Sequence, residues 1–130
     1  MIMRDSIKKV YKIKSSIGEV WKALVDQSVI DKWGGGPSKM TEAVDTDFEL
    51  WNGDIYGRNI IVQHESQLVQ EWFGGDWAKP SIVTFNLKEE YPYVILQLEQ
   101  INVPDPDFDD IDAGWDDFYL GPMKKMLENQ

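Results

Sequence analysis

Two periods alternate along this chain, and they divide it into elements. In "IKKVYKIK" (residues 7–14) Ile7, Tyr11 and Ile13 share one parity, which predicts a strand with one covered face. The period then lengthens. Val20, Trp21, Leu24 and Val25 repeat at helical spacing, with Ser16 just before the run and Glu19 three residues later, the pattern of a capping box. A second short helix, "QSVIDKW", runs into the helix stop "GGGP" (34–37).

From Lys39 to Val103 the period is that of strands. "KMTEAV" predicts a short one. "DFELW" and "DIYGRNIIVQH" flank Asn52-Gly53, the pair favoured in two-residue hairpins. "QLVQEWF" follows a turn at Glu65-Ser66, and "SIVTFNLKEE" and "YVILQLEQINV" flank a turn containing Tyr91-Pro92. Val83, Phe85 and Leu87 alternate, as do Val94, Leu96 and Leu98, so each strand has one buried and one wetter face, as antiparallel sheets do. The predicted fold is α+β: a curved antiparallel sheet of about seven strands, two short helices after the first strand, and one long C-terminal helix to cover the sheet.

That last helix carries the most distinctive pattern. Asp105 is placed to cap it and Pro106 falls where a first-turn proline is tolerated. Phe108, Ile111, Trp115, Phe118, Tyr119, Met123 and Met126 recur at steps of three and four, while Asp109, Asp110, Asp112, Asp116 and Asp117 take other positions. Acids early and Lys124 and Lys125 late suit the helix dipole. The aromatic face either fills the core or roofs a pocket over the sheet. Pro122 lacks an N–H and clashes with the carbonyl four residues back, and Gly121 beside it is a weak helix former. Together they predict a kink near residues 119–122, which would let the helix follow a curved sheet or hinge.

Composition narrows the function. The 130 residues suit one domain, expected over 1–130, and they include six Trp, five Tyr and five Phe. That supply of rings is enough to line a cavity as well as a core. There is no cysteine, hence no disulfide framework or thiolate chemistry, as expected of a cytoplasmic protein. "MIMRDSIKK" lacks the apolar run of a signal peptide, and no stretch approaches the ~20 apolar residues of a membrane span. Residues 1–40 hold eight bases against four acids, but residues 41–130 hold five bases against 19 acids. Nucleic-acid binding, which needs a cationic face, is not expected.

The stretches "SSIGEVWKALVD", "IDKWGGG", "NGDIYG", "LVQEWF" and above all "GWDDFYLGPMKKMLE", with Gly114, Trp115, Tyr119, Pro122 and Leu127, resemble the helix-grip superfamily of birch-pollen-allergen-like proteins, START domains and polyketide cyclases. Within it they most resemble the homologue-1-like activators of the heat-shock protein 90 ATPase. The resemblance implies a seven-stranded sheet gripping the C-terminal helix, with a cavity between them. Mapped onto this chain, the implied lining is Trp33, Trp51, Tyr56, Trp72, Trp77, Phe85, Trp115, Phe118, Tyr119 and Met123, suited to a small lipophilic or aromatic ligand. Arg58 and His64 share the parity of Tyr56, Ile60 and Val62, so if Ile60 and Val62 face inward they do too, near the ends of the strand and able to orient a polar ligand end, or else they sit on the rim paired with acids. The resemblance also implies a second role, binding a heat-shock protein 90 homologue and stimulating its ATPase, although the eukaryotic relatives carry this domain behind another.

Other chemistry finds little footing. "GGGPSK" follows a helix and lacks phosphate-loop spacing. "DPDFDDIDAGWD" has Asp110 where a calcium loop turns on glycine. There is no HExxH or G-x-S-x-G, and a lone His builds no metal cluster. Gln70 and Arg58 are the polar exceptions on the inward parities, so no catalytic residue, cofactor or metal is expected. A cyclase- or hydrolase-like enzyme is the third alternative.

Overall fold

Every strongly alternating segment becomes a strand of one sheet. The computed structural model describes residues 6–130, so the first residues of the stretch compared with a signal peptide, and the charges of Arg4 and Asp5, lie outside it. The strands are β1 (Ser6–Ile13), β2 (Asp47–Leu50), β3 (Ile55–Gln63), β4 (Gln67–Gly74), β5 (Ser81–Glu90) and β6 (Tyr93–Ile101). They form one antiparallel sheet in the order β1-β6-β5-β4-β3-β2. Helices α1 (Ile17–Val25) and α2 (Gln27–Trp33) follow β1, and the C-terminal helix lies across the sheet as α3 (Phe108–Gly114), a π-helical turn (Trp115–Tyr119) and α4 (Leu120–Glu128). The α+β helix-grip expectation holds, with six strands rather than seven.

The missing strand has a physical reason. "KMTEAV" makes one bridge, Lys39 to Glu49, with N–H···O distances of 2.9 and 3.0 Å. Beyond it the chain turns over the sheet edge, and the Thr41 carbonyl accepts from the buried Asn59 side-chain amide at 3.0 Å instead of extending a ladder. The β2–β3 connection also differs from the two-residue hairpin expected. Leu50 pairs with Ile55, leaving a loop of Trp51 to Asp54 in which Trp51, Asn52 and Gly53 all have positive φ. Bonds from outside the hairpin hold it: Trp51 N–H to the Gly35 carbonyl at 2.8 Å, the Trp51 indole N–H to the Gly34 carbonyl at 2.9 Å, and Asn52 N–H to the Pro37 carbonyl at 2.9 Å. These bonds draw Trp51 over the core.

Inner-face residues alternate as expected. Leu68, Gln70 and Trp72 of β4, Val83, Phe85 and Leu87 of β5, and Val94, Leu96 and Leu98 of β6 are all buried. Each apolar side chain among them contributes roughly 1.5–3 kcal/mol of hydrophobic stabilisation, whereas Gln70 must be hydrogen-bonded to be buried. Ser16 caps α1, its Oγ accepting from Glu19 N–H at 3.2 Å, and Asp26 caps α2, accepting from Ser28 and Val29. Asp105 does not cap the last helix. It lies inside a 3₁₀ turn, Asp105–Asp107, that leads into α3.

The expected kink takes the form of the π turn. Leu120 N–H bonds to the Trp115 carbonyl, five residues back, just before Pro122 would clash with the Phe118 carbonyl. The wider turn brings the Asp116 carbonyl against Gly121, where an added Cβ would lie 2.1 Å from that oxygen. Glycine is therefore required here by close approach. The extra residue also rotates the helix face: Trp115, Tyr119, Leu120, Met123 and Leu127 are buried, while Phe118 is 64% exposed. Beneath the helix, Lys9 reaches Asp112 at 3.1 Å and Asp116 at 2.9 Å, and the Tyr11 hydroxyl donates to Asp116. The π turn is thus tied down to β1.

Candidate functional site

Between the π turn and the β2–β3 loop the rings stop short of filling the space. They leave an open hollow of about 300 Å³. Trp51, Trp72, Trp115, Phe118 and Tyr119 supply most of its wall, with Ile55, Ile111 and Gly114 between them and Asp54 as the lone charged member among the described residues. The strands place Trp72, the loop places Trp51 and Asp54, and the helix supplies the opposite wall. Trp72 and Trp115 stack with centroids 4.9 Å apart, Trp115 and Tyr119 lie 4.8 Å apart, and Trp51 meets Tyr119 edge-on at 6.1 Å. Such contacts each add about 0.5–1.5 kcal/mol beyond burial and make the wall stiff.

Behind the rings runs a chain of buried amides that the sequence hid. The Trp72 indole N–H donates to Gln70 Oε1 at 2.8 Å, Gln70 Nε2 donates to Asn59 Oδ1 at 2.9 Å, and Asn59 Nδ2 donates to the Thr41 carbonyl. Likewise the Trp115 indole N–H donates to Gln100 Oε1 at 2.7 Å. Asn59, Gln70 and Gln100 are all fully buried. Polar residues on the inward parity of β4 and β6 were the available signal; the loop that completes the chain was not predictable from it. The Tyr119 hydroxyl and Gln100 Nε2 are buried without a hydrogen-bond partner, and burial pushes the Tyr119 phenol far up, so it stays protonated.

The remaining candidates scatter. Trp33, Phe85 and Met123 are core residues: Trp33 packs 4.5 Å from Tyr119 and donates its indole N–H to the Ala23 carbonyl, and Phe85 packs 5.7 Å from Tyr119. Trp77 is half-buried in the β4–β5 connection, bonded to Asp107 at 2.9 Å. Tyr56 and Arg58 do not face the hollow. The register of β3 against β4 shifts between Asn59 and Ile61, so a bulge separates the outward Tyr56 and Arg58 from Val62, which does pack on the core. Parity does not carry across a bulge. Tyr56 instead stacks on Phe73 on the outer face, and Arg58 lies 3.9 Å from Asp45.

His64 also lies away from the hollow, exposed at the far end of β3 beside Trp21. Its Nδ1 meets Glu42, and its Nε2 lies 3.5 Å from Glu65. The Glu42 hydrogen bond raises its pKa above the ordinary 6.5. Glu42 is partly desolvated, which alone would raise its pKa, but the hydrogen bond with His64 holds it below the ordinary 4.5. Among the described residues no three His, Asp or Glu side chains are grouped to hold a metal ion, and no helix is long and apolar enough to cross a membrane.

Solved structures share this architecture. An HSP90 activator from Plasmodium falciparum superposes with a TM-score of 0.88 at 19% identity, over 95% of this chain and 96% of that one. A Mesorhizobium loti protein gives 0.84 at 18% identity, over 96% and 98%. The Aha1 dimer from Colwellia psychrerythraea gives 0.82 at 16%, over 95% and 96%. At these identities the likeness is one of fold. In sequence, the chain is 20% identical over 123 residues to an uncharacterized protein of Schizosaccharomyces pombe, spanning 93% of this chain but 37% of that protein's length. Residues 14–128 match the family described as activator of Hsp90 ATPase homolog 1-like protein. Because the match extends over most of its length, the chain belongs to that family.

Proposed function

We propose that this chain is a non-enzymatic binding domain for a small apolar ligand seated in the hollow beside the π turn. One observation carries the reading: the sheet and the helix leave an open space of about 300 Å³ whose wall is five aromatic side chains and two isoleucines. Ligand pockets begin at about this volume and are lined in this way. Phe118, held outward at the mouth by the π turn, is the first surface a ligand meets. Catalysis has less support. Among the described residues the wall holds one carboxylate, Asp54, and the Tyr119 hydroxyl that burial keeps protonated, with no second acid or base.

The test is a titration of the protein with 1-decanol, followed by tryptophan emission. A saturable change is expected, and it should weaken at least about tenfold in Phe118→Asp, which places a charge at the mouth without disturbing the core. A response that never saturates, or one indifferent to Phe118→Asp, would overturn the reading.

Family membership supports a second role, stimulation of a heat-shock protein 90 homologue, since the Plasmodium falciparum relative is an HSP90 activator. Adding this chain to the chaperone of its own host should raise the ATPase rate. An unchanged rate at saturating protein would sink this role and leave the ligand reading intact.

A further inference from the structure

The walls of the hollow say which kind of ligand they accept, provided the apolar-ligand reading above is right. We propose that the ligand is an organic cation, an ammonium or amine carried on an apolar body, with its charge at Asp54 and its body against the rings.

Every indole N–H in the wall is already committed to the protein: Trp51 to the Gly34 carbonyl, Trp72 to Gln70, and Trp115 to Gln100, at 2.7–2.9 Å. Among the described residues no lysine, arginine or histidine lines the space. Arg58 and His64, the residues that could have taken a ligand carboxylate, lie outside it, on the outer face and at the far end of β3. An anionic ligand would find at most the neutral Tyr119 hydroxyl, and it would sit in the field of Asp54. A cation meets the opposite situation. Asp54 is exposed at the rim and forms no ion pair among the described residues, so its charge is available to a ligand. Ring faces attract cations through their quadrupole, and the attraction grows as water is excluded. The net charge of −10, with 19 acids against five bases over residues 41–130, favours the approach of a cation from a distance.

The experiment uses three probes with one body and three heads: decyltrimethylammonium, 1-decanol and decanoate, each below its micelle concentration, titrated by calorimetry. The ammonium is expected to bind at least about ten times more tightly than decanoate, with decanol between them. Asp54→Asn should bring the ammonium to the level of decanol. Glu90→Gln, which removes the same charge from the exposed end of β5, should leave it tight; that pairing separates a local carboxylate from the general acidity of the protein. Decanoate binding as tightly as the ammonium, or an ammonium affinity indifferent to Asp54→Asn, overturns the cation assignment while decanol binding still upholds the hollow. Failure of all three probes to bind overturns the apolar-ligand reading itself, and this inference with it.

Discussion

The molecule has a hollow on each side of strands β2 to β4, and the two differ in chemistry rather than size. The outer one is the larger, about 590 Å³, and its floor is the stacked pair Tyr56 and Phe73. Its charges answer one another: Lys39 lies 3.3 Å from Glu49, and Arg58 sits in register between Asp47 and Glu71 with Asp45 at 3.9 Å. The inner one is half that volume, but its polar groups are turned away into the protein, and its one carboxylate has no ion-pair partner among the described residues. Volume therefore does not identify the site. What distinguishes the inner hollow is a wall whose hydrogen bonds are already made, leaving only ring surface and one charge for a ligand.

The sharpest way to break this contrast is to remove one ring from each side. Trp115→Ala should lose about 3–5 kcal/mol in chemical denaturation, since it deletes a buried ring stacked on Trp72 and strands Gln100. Tyr56→Ala, 44% exposed, should lose less than about 1 kcal/mol. Comparable losses would mean that the two faces are equally structural.

Next in size is the π turn that shapes the inner mouth. Replacing glycine with alanine in an ordinary helix is stabilising by roughly 1 kcal/mol. Gly121→Ala should instead destabilise by about 1–3 kcal/mol, because the new methyl meets the Asp116 carbonyl. A higher melting temperature in this variant would show that the turn relaxes to an α-helix without penalty.

A smaller effect concerns the tether beneath that turn. Bonds from Tyr11 and then Lys9 hold the Asp116 carboxyl below the ordinary 3.8, outweighing its partial desolvation. A lowered carboxyl pKa contributes stability that is present above 3.8 and is lost as pH falls through the folded value. Asp116→Asn should therefore remove about 1 kcal/mol or less at neutral pH, since the side chain is half exposed, and reduce the acid sensitivity of unfolding. An unaltered acid limb would assign that sensitivity to other carboxylates.

The smallest effect lies farthest from both hollows. His64 has a raised pKa, so its contribution is complete below 6.5 and fades as pH rises through the folded value; Glu42 has a lowered one, so its contribution is complete above 4.5 and fades in acid. The pair should be firmest between those two values, and the His64 ring signals in NMR should titrate above 6.5 and return toward it in Glu42→Gln.

Much of this was legible in the chain because β5 and β6 are regular: the parity of Val83, Phe85 and Leu87 predicts their burial, and the helix signals at Ser16 and Gly34 do what capping chemistry asks. The misplacement of Tyr56 and Arg58 has one cause. "NIIV" (59–62) contains three consecutive apolar residues, and nothing local says which one the bulge leaves unpaired. Gly121-Pro122 announced a defect in the helix but not that it would be a π turn, nor that Phe118 would swing to the mouth. Asp54 and Ile55 were invisible as wall residues because the β2–β3 loop is set by bonds to residues 34–37, which lie far away in the chain.

A ligand that enters the inner hollow must disturb its indoles, and one NMR titration with 1-decanol, following the backbone amides and the indole N–H signals of the six tryptophans, reads this. Trp51, Trp72 and Trp115 should shift together and saturate, while Trp21, packed beside His64 away from the hollow, should stay in place. Saturable shifts confined to the backbone amides around Tyr56 and Phe73, with the indoles of the inner wall unmoved, would place the ligand on the outer face of the sheet and rule out the inner hollow as its site.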